Sequence, residues 1–431
     1  MHSKVIAGAV LLAAAATSLI AQRDAEAPDD VRPIPVSAEA EQYWSRWRGP
    51  SGQGIAKGTG YVDRWSHADN ILWRTAVPGL GHSSPIVWKD HLFVTTAQDG
   101  GSKMSLLAYD RPTGRLLWET AVPSSGVEHI YPKNSHASAT PVTDGQHIYA
   151  SFGTHGLAAF DFTGRIVWHR RIGTLNNVHG SAGSPVLYKD RLFLYQDHRG
   201  SNDLGSFVAA FRTSDGETLW WQDRNEQTGW GTPVVITMPE RDELIVSSQR
   251  KVYAYHPDSG SILWTVSGNL YEVIPTPVVG HGFVFAASGR AGPTLAIRPG
   301  GSGDVTTTHV AWTSPRGSPF VPSGLLHGDL LYQINDMQSI LTAQYARTGE
   351  LAYQARLGVA TREGFSSSPV AVGDTLFFTN DDGQTFVVEA GPEFTLRHVN
   401  EFGARVLASP ALVDGTWYWR TDKELLAIGT R

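Results

Sequence analysis

Leu107-Ala108-Tyr109-Asp110-Arg111-Pro112-Thr113-Gly114-Arg115-Leu116-Leu117-Trp118 is the stretch that decides the fold. It reads as an apolar strand, a polar turn closed by glycine, and a second strand ending on tryptophan. A tight hairpin places a residue at positive φ, which glycine tolerates, and the neighbouring Asp and Thr can bond the turn's own backbone. The pattern returns from Ala159 to Trp168, again ending at Thr218-Leu219-Trp220, and from Ala254 to Trp264. Looser copies end at Trp312, at Tyr353 after Gly349, and around Leu396-Arg397-His398. A flat aromatic at the end of each outer strand can bury its face between neighbouring units and donate its indole N–H to a backbone acceptor. Trp73, Trp118, Trp168, Trp220, Trp264, Trp312 and Tyr353 are the docking aromatics expected on this reading.

Upstream of each copy stands a small-residue step into proline and an apolar strand, a turn, and a second apolar strand. Ser84-Pro85-Ile86-Val87 followed by Leu92-Phe93-Val94 is the first, and its equivalents begin at Pro141, Pro185, Pro233, Pro277, Pro322, Pro369 and Pro410. A recurrence of about 45 residues is the length of one four-stranded propeller blade. Eight copies predict an all-β, eight-bladed propeller of antiparallel blades, or seven blades if the weak seventh copy is irregular. The eighth copy stops before its tryptophan strand, while Asn70-Ile71-Leu72-Trp73-Arg74-Thr75 stands unclaimed ahead of the first. Pairing the two would close the ring and remove two open sheet edges.

Composition agrees with many short strands joined by tight turns: Gly 45, Pro 24 and Trp 14, with only 18% charged residues. Lys4 followed by the uncharged run from Val5 to Ala21 reads as a signal peptide over residues 1–27, cut after Ala27 or Ala21, which predicts a periplasmic or secreted protein. Residues 28–42, with Pro33 and Pro35, read as a flexible leader, and 43–431 as one propeller domain. The mature chain is expected to lack a membrane span and to be a monomer. The absence of cysteine excludes disulfides, thiolate metal sites and a lipidated cysteine. A net charge of −6 without a basic run argues against nucleic acid as partner.

The spacing Ala-x-Asp/His-x-x-x-Gly-x-x-x-Trp resembles the tryptophan-docking motif of pyrroloquinoline-quinone-type (PQQ-like) propellers, over about residues 43–431. Trp44-Ser45-Arg46-Trp47-Arg48-Gly49-Pro50-Ser51-Gly52 is similar to the start of exported bacterial PQQ-like repeat proteins. The resemblance implies one of two functions. One is that of the quinoprotein alcohol and glucose dehydrogenases, which would bring PQQ, calcium, adjacent cysteines and a catalytic aspartate. The other is that of outer-membrane protein assembly factor B, a scaffold without chemistry, held to lipid through a cysteine. This chain has no cysteine, and no segment matches the calcium and aspartate motifs. The leading expectation is therefore a non-catalytic binding or assembly scaffold of the cell envelope, with a protein, peptide or glycan partner and no cofactor. The alternative is a PQQ-dependent dehydrogenase of alcohols or sugars, with calcium.

Within a blade the first strand leaves one face and the second returns to it, so the residues before the first and after the second share that face. Seven of them are the candidate ligand-binding residues: His136, His179, Trp230, Glu272, Glu363, Arg405 and His198. The longest loop there, from Glu128 to His136, is the richest in polar groups. Neutral imidazoles at His136, His179 and His198 could bind a metal, although rim histidines commonly do nothing of the kind and no His-x-x-x-His spacing links these. Asp381-Asp382-Gly383 reads as a turn rather than a calcium loop.

Overall fold

The computed structural model describes residues 30–290, 292–315, 317–359 and 364–430. The signal-peptide segment 1–27 and Glu363 lie outside them. The chain forms eight four-stranded antiparallel blades, each meandering from an inner to an outer strand. The first blade is Ile86–Trp88, His91–Gln98, Lys103–Asp110 and Leu116–Ala121. Irregularity does not cost the seventh copy its blade, since Val370–Val372, Thr375–Thr379, Gln384–Glu389 and Leu396–Glu401 pair in the same order. The last blade takes Ala411–Val413, Thr416–Arg420 and Glu424–Ile428 from the C-terminus and Ile71–Ala76 from the N-terminal side, with Trp73 opposite Ala427.

The docking aromatics follow one register rule. Trp118 stands opposite Ala108, Trp168 opposite Ala159, Trp220 opposite Ala210, Trp264 opposite Ala254, Trp312 opposite Ala296 and Tyr353 opposite Ala343. A β-bulge adjoins the pair in every blade, turning the aromatic out of its own sheet toward the next one. There the indole of Trp73 donates to Arg111 O (2.9 Å), Trp118 to Phe162 O (3.0 Å), Trp168 to Thr213 O (2.8 Å), Trp220 to Pro257 O (2.9 Å) and Trp312 to Ala346 O (2.9 Å). The turn glycine is demanded twice over. Gly260 has φ +72°, and a Cβ placed on it would come within 2.4 Å of the Trp220 ring.

Three positions depart from this bonding, the first being Tyr353, whose buried hydroxyl has no hydrogen-bond partner. Trp264 is fully buried but donates to Glu243 Oε2 of its own blade (2.7 Å). The next blade lacks the tight glycine turn there: residues 298–309 make a longer excursion that lays Gly303–Asp304 parallel to the Trp264 strand. In the seventh blade His398 takes the aromatic's place, opposite Val387, and its Nε2 pairs with Asp63 O at 2.7 Å.

The leader does not hang free. Arg32–Pro33 pairs antiparallel with Thr237–Ile236 at the end of the fourth blade's inner strand, and Val31 and Ala40 are buried. From there the strap crosses the inner strands of other blades: Val87 N donates to Trp44 O, Thr143 N to Ser45 O, and Ala371 N to Gly54 O. Buried Arg48 donates to Gly324 O at 2.6 Å, ahead of the sixth blade. Pro33 and Pro35 suggested a flexible leader over 28–42, but Arg32–Pro33 within it, like the backbone of 44–54 beyond it, finds partners on inner strands that would otherwise present unpaired edges to the axis.

Candidate functional site

The step into each inner strand builds a structure that spans the ring. Each hydroxyl of the step accepts the backbone N–H of its counterpart in a neighbouring blade. Ser84 N donates to Thr140 Oγ1, Thr140 N to Ser184 Oγ, Ser184 N to Thr232 Oγ1 and Thr232 N to Thr276 Oγ1, over 2.9–3.2 Å. Thr276 N then donates to Ser323 Oγ, Ser323 N to Ser368 Oγ, Ser368 N to Ser409 Oγ, and Ser409 N returns to Ser84 Oγ, over 2.9–3.0 Å. The belt closes on itself. Seven members precede proline, and the eighth, Ser323, precedes Gly324; the sixth repeat is thus entered through Ser323-Gly324, one residue beyond Pro322.

The belt lies in the wall of an axial cavity of about 460 Å³. Trp47 of the strap lines it, half-buried, and Trp230, Tyr131 and Phe320 are further aromatic walls. One side is a stack: the His179 ring lies 5.4 Å from that of Trp230 at 25°, Tyr131 meets His179 edge-on at 5.2 Å, and Trp230 Nε1 donates to Gly180 O at 2.9 Å. Asn134 Nδ2 fixes the loop by donating to His179 O at 2.8 Å. Glu272, held at φ +57°, sits 3.6 Å from His179 Nε2 and is bound by Arg290, whose guanidinium lies over Phe320.

Across the cavity Lys133 Nζ meets buried Asp381 Oδ2 at 3.0 Å, and Asp381 Oδ1 has no hydrogen-bond partner. Burial raises the Asp381 pKa against the pull of Lys133. Asp336, buried, accepts from Phe320 N at 2.7 Å, and burial lifts its pKa to about 6. His82 also lines the cavity, and its pKa is pushed down to about 3 by burial together with the charges of Arg420, Arg405 and Lys133. The imidazole is a neutral group in a positive field.

Of the seven candidates, His179, Trp230 and Glu272 come together here. Arg405 does not line the cavity but acts on His82 and Asp381 through its charge. His136 and His198 are placed elsewhere by their own loops. His136 Nε2 pairs with Glu128 O at 2.9 Å and its ring packs on Gly101. His198 is buried with both ring nitrogens engaged, Nε2 with Gly205 O and Nδ1 with the N–H groups of Asn176 and Gly200. A metal site shared by His136, His179 and His198 is therefore not formed. Lys133, His82, Arg290, Asp336, Trp47 and the belt were not among the candidates, although Ser or Thr before the repeated proline was a readable signal.

The fold and cavity define an eight-bladed propeller with an axial site. The family model described as outer membrane protein assembly factor BamB matches residues 58–204 and 136–355, so the chain belongs to this PQQ-like propeller family. None of the curated proteins matches it. Among solved structures it is similar to BamB from Moraxella catarrhalis, at 12% identity and TM-score 0.62, over 84% of this chain and 99% of that one. A europium-containing methanol dehydrogenase is similar at 11% identity and TM-score 0.66, over 90% and 98% of the two chains. The quinohemoprotein alcohol dehydrogenase of Comamonas testosteroni gives 11% and 0.65, over 91% and 81%. At these identities the likeness is one of fold.

The dehydrogenase neighbours raise the question of PQQ with a metal. A hard cation needs several converging oxygen ligands. Here Glu272 is turned to Arg290, Asp381 to Lys133 and Asp336 to a backbone N–H. Among the described residues no group of three or more His, Cys, Asp or Glu side chains could hold a metal ion. No ligand set for a metal-held quinone is formed among the described residues.

Proposed function

We propose that this protein is exported to the cell envelope and works there as a non-catalytic binding scaffold, taking its ligand in the axial cavity. One observation carries the reading: among the described residues Glu272, Asp381 and Asp336 are each engaged by a protein cation or a backbone N–H, while aromatic faces and hydroxyls remain presented to the cavity. Acid–base or metal chemistry needs an uncommitted carboxylate or a ligand set, whereas binding needs shape, stacking surfaces and oriented donors. Membership of the BamB family supports an envelope role, and among the described residues no helix is long and apolar enough to cross a membrane.

The test is a dye-reduction assay on the purified protein with PQQ, with and without calcium, using simple alcohols and aldose sugars as substrates. The scaffold reading predicts no turnover and no calcium-dependent heat of PQQ binding. Saturable binding with turnover would replace it by the dehydrogenase reading.

A further inference from the structure

The belt's hydroxyls have a chemical polarity that the fold imposes. Each oxygen spends a lone pair on a neighbouring blade's N–H, and none of the eight donates its own proton to a protein acceptor among the described residues. All but Thr232 are buried, and all but Ser323 line the cavity. A ring of buried O–H groups without protein acceptors asks for a ligand rich in oxygen acceptors, because a buried donor left unmade is costly. Cations face it as well. Lys133, paired with Asp381, and Arg290, paired with Glu272, line the cavity beside Asp336, with Arg405 and Arg420 close enough to act on His82. A ligand carboxylate would share these cations with their protein partners. The third element is the Trp47 indole, half-buried on a segment anchored on both sides by its bonds to inner strands. An indole edge or face at a polar cavity suits a ligand with one C–H-lined ring face.

We infer that the axial cavity binds a sugar acid, a pyranose ring carrying a carboxylate, with ring oxygens toward the hydroxyl belt, one ring face on Trp47 and the carboxylate toward Lys133 and Arg290. This rests on the binding-scaffold reading above and names its ligand class. Neutral sugars lack the charge, bare anions lack the stacking face, and a planar aromatic acid lacks the acceptors for the belt.

The experiment is calorimetric titration of the mature protein with D-galacturonate and D-glucuronate, set beside D-glucose, benzoate and sulfate. At least one uronate is expected to bind with a Kd below about 1 mM, and at least about tenfold more tightly than glucose, benzoate or sulfate. Trp47→Leu and Arg290→Gln should each weaken it by about tenfold with unchanged thermal unfolding, which separates ligand contact from folding. No uronate heat up to about 10 mM, sulfate or benzoate binding as tightly, or both variants binding like the parent, would overturn the inference. Turnover with PQQ and calcium would instead overturn the scaffold reading, so the two failures are distinguishable.

Discussion

The ion pairs Arg224–Asp197 and Lys133–Asp381 are built to opposite ends. Arg224 in the third blade meets Asp197 through two parallel bonds, Nε to Oδ1 at 2.7 Å and Nη2 to Oδ2 at 3.1 Å. Its remaining donors go to Tyr255 and Ser248, and its guanidinium lies 4.6 Å from the Tyr253 ring centre. Both side chains are almost wholly buried, at 2% and 0% exposure. Lys133 and Asp381 form a single 3.0 Å contact at the edge of the axial cavity, with the lysine 17% exposed and one carboxylate oxygen left unpartnered. Burying charge is tolerable when hydrogen bonds satisfy it, so the first pair, with four bonds from the guanidinium, is closed and structural. The second stands beside the cavity that Lys133 lines, with a buried carboxylate less completely satisfied than that of the first.

The largest effect expected is at the closed pair. Arg224→Ala leaves Asp197 charged in a dry site and should cost about 3–5 kcal/mol, read by urea unfolding, where a loss of under about 1 kcal/mol would refute the closed-network account. Trp168→Ala should cost about the same from packing, about 3–5 kcal/mol, since it removes a buried indole and its bond to Thr213 O. A melting temperature equal to the parent's would deny it the docking role. Gly260→Ala strains a +72° φ and drives a methyl into Trp220. About 1–3 kcal/mol of destabilisation is expected, with Gly58→Ala, where φ is positive but the space is open, as the milder control.

At the open site pH separates two opposed contributions. His82 has a folded pKa near 3, below its ordinary value, so its share of stability is present above about pH 6.5 and is lost as pH falls toward 3. Asp336, raised to about 6, works the other way: its share is present below about pH 4 and is lost as pH rises through 6. His82→Gln should flatten the loss of stability on acidification from about pH 6.5, and Asp336→Asn should flatten the loss between about pH 4 and 6. Stability curves for the two variants that coincide with the parent's at every pH would remove the claim that burial shifts both groups.

The legible part of this protein is its repeat. The glycine turn, the strand-ending tryptophan and the proline step recur at fixed spacing, and one physical reason, aromatic docking between blades, covers most copies. Trp264 and His398 escaped because their partners, the 298–309 excursion and Asp63, are set by a neighbouring insertion and by the far end of the chain. The site was legible only as a face. His179, Trp230 and Glu272 were on it, but His136 and His198 were withdrawn by hydrogen bonds within their own loops, which no spacing records. The belt was present in the sequence as Ser or Thr before proline, yet its closure into a ring depends on eight neighbours at once. The leader's pairing was not legible because backbone groups of Arg32–Pro33 and Ile34, which no side-chain pattern marks, bond the fourth blade's inner strand.

The contrast between a responsive axis and an inert ring is tested most directly by following tryptophan indole N–H resonances during titration with D-galacturonate. The account predicts shifts of Trp47 and Trp230, which line the cavity, while Trp73, Trp118, Trp168, Trp220 and Trp312, each bonded to the next blade, stay still. Saturating shifts confined to the docking indoles, or none at any indole, would contradict it.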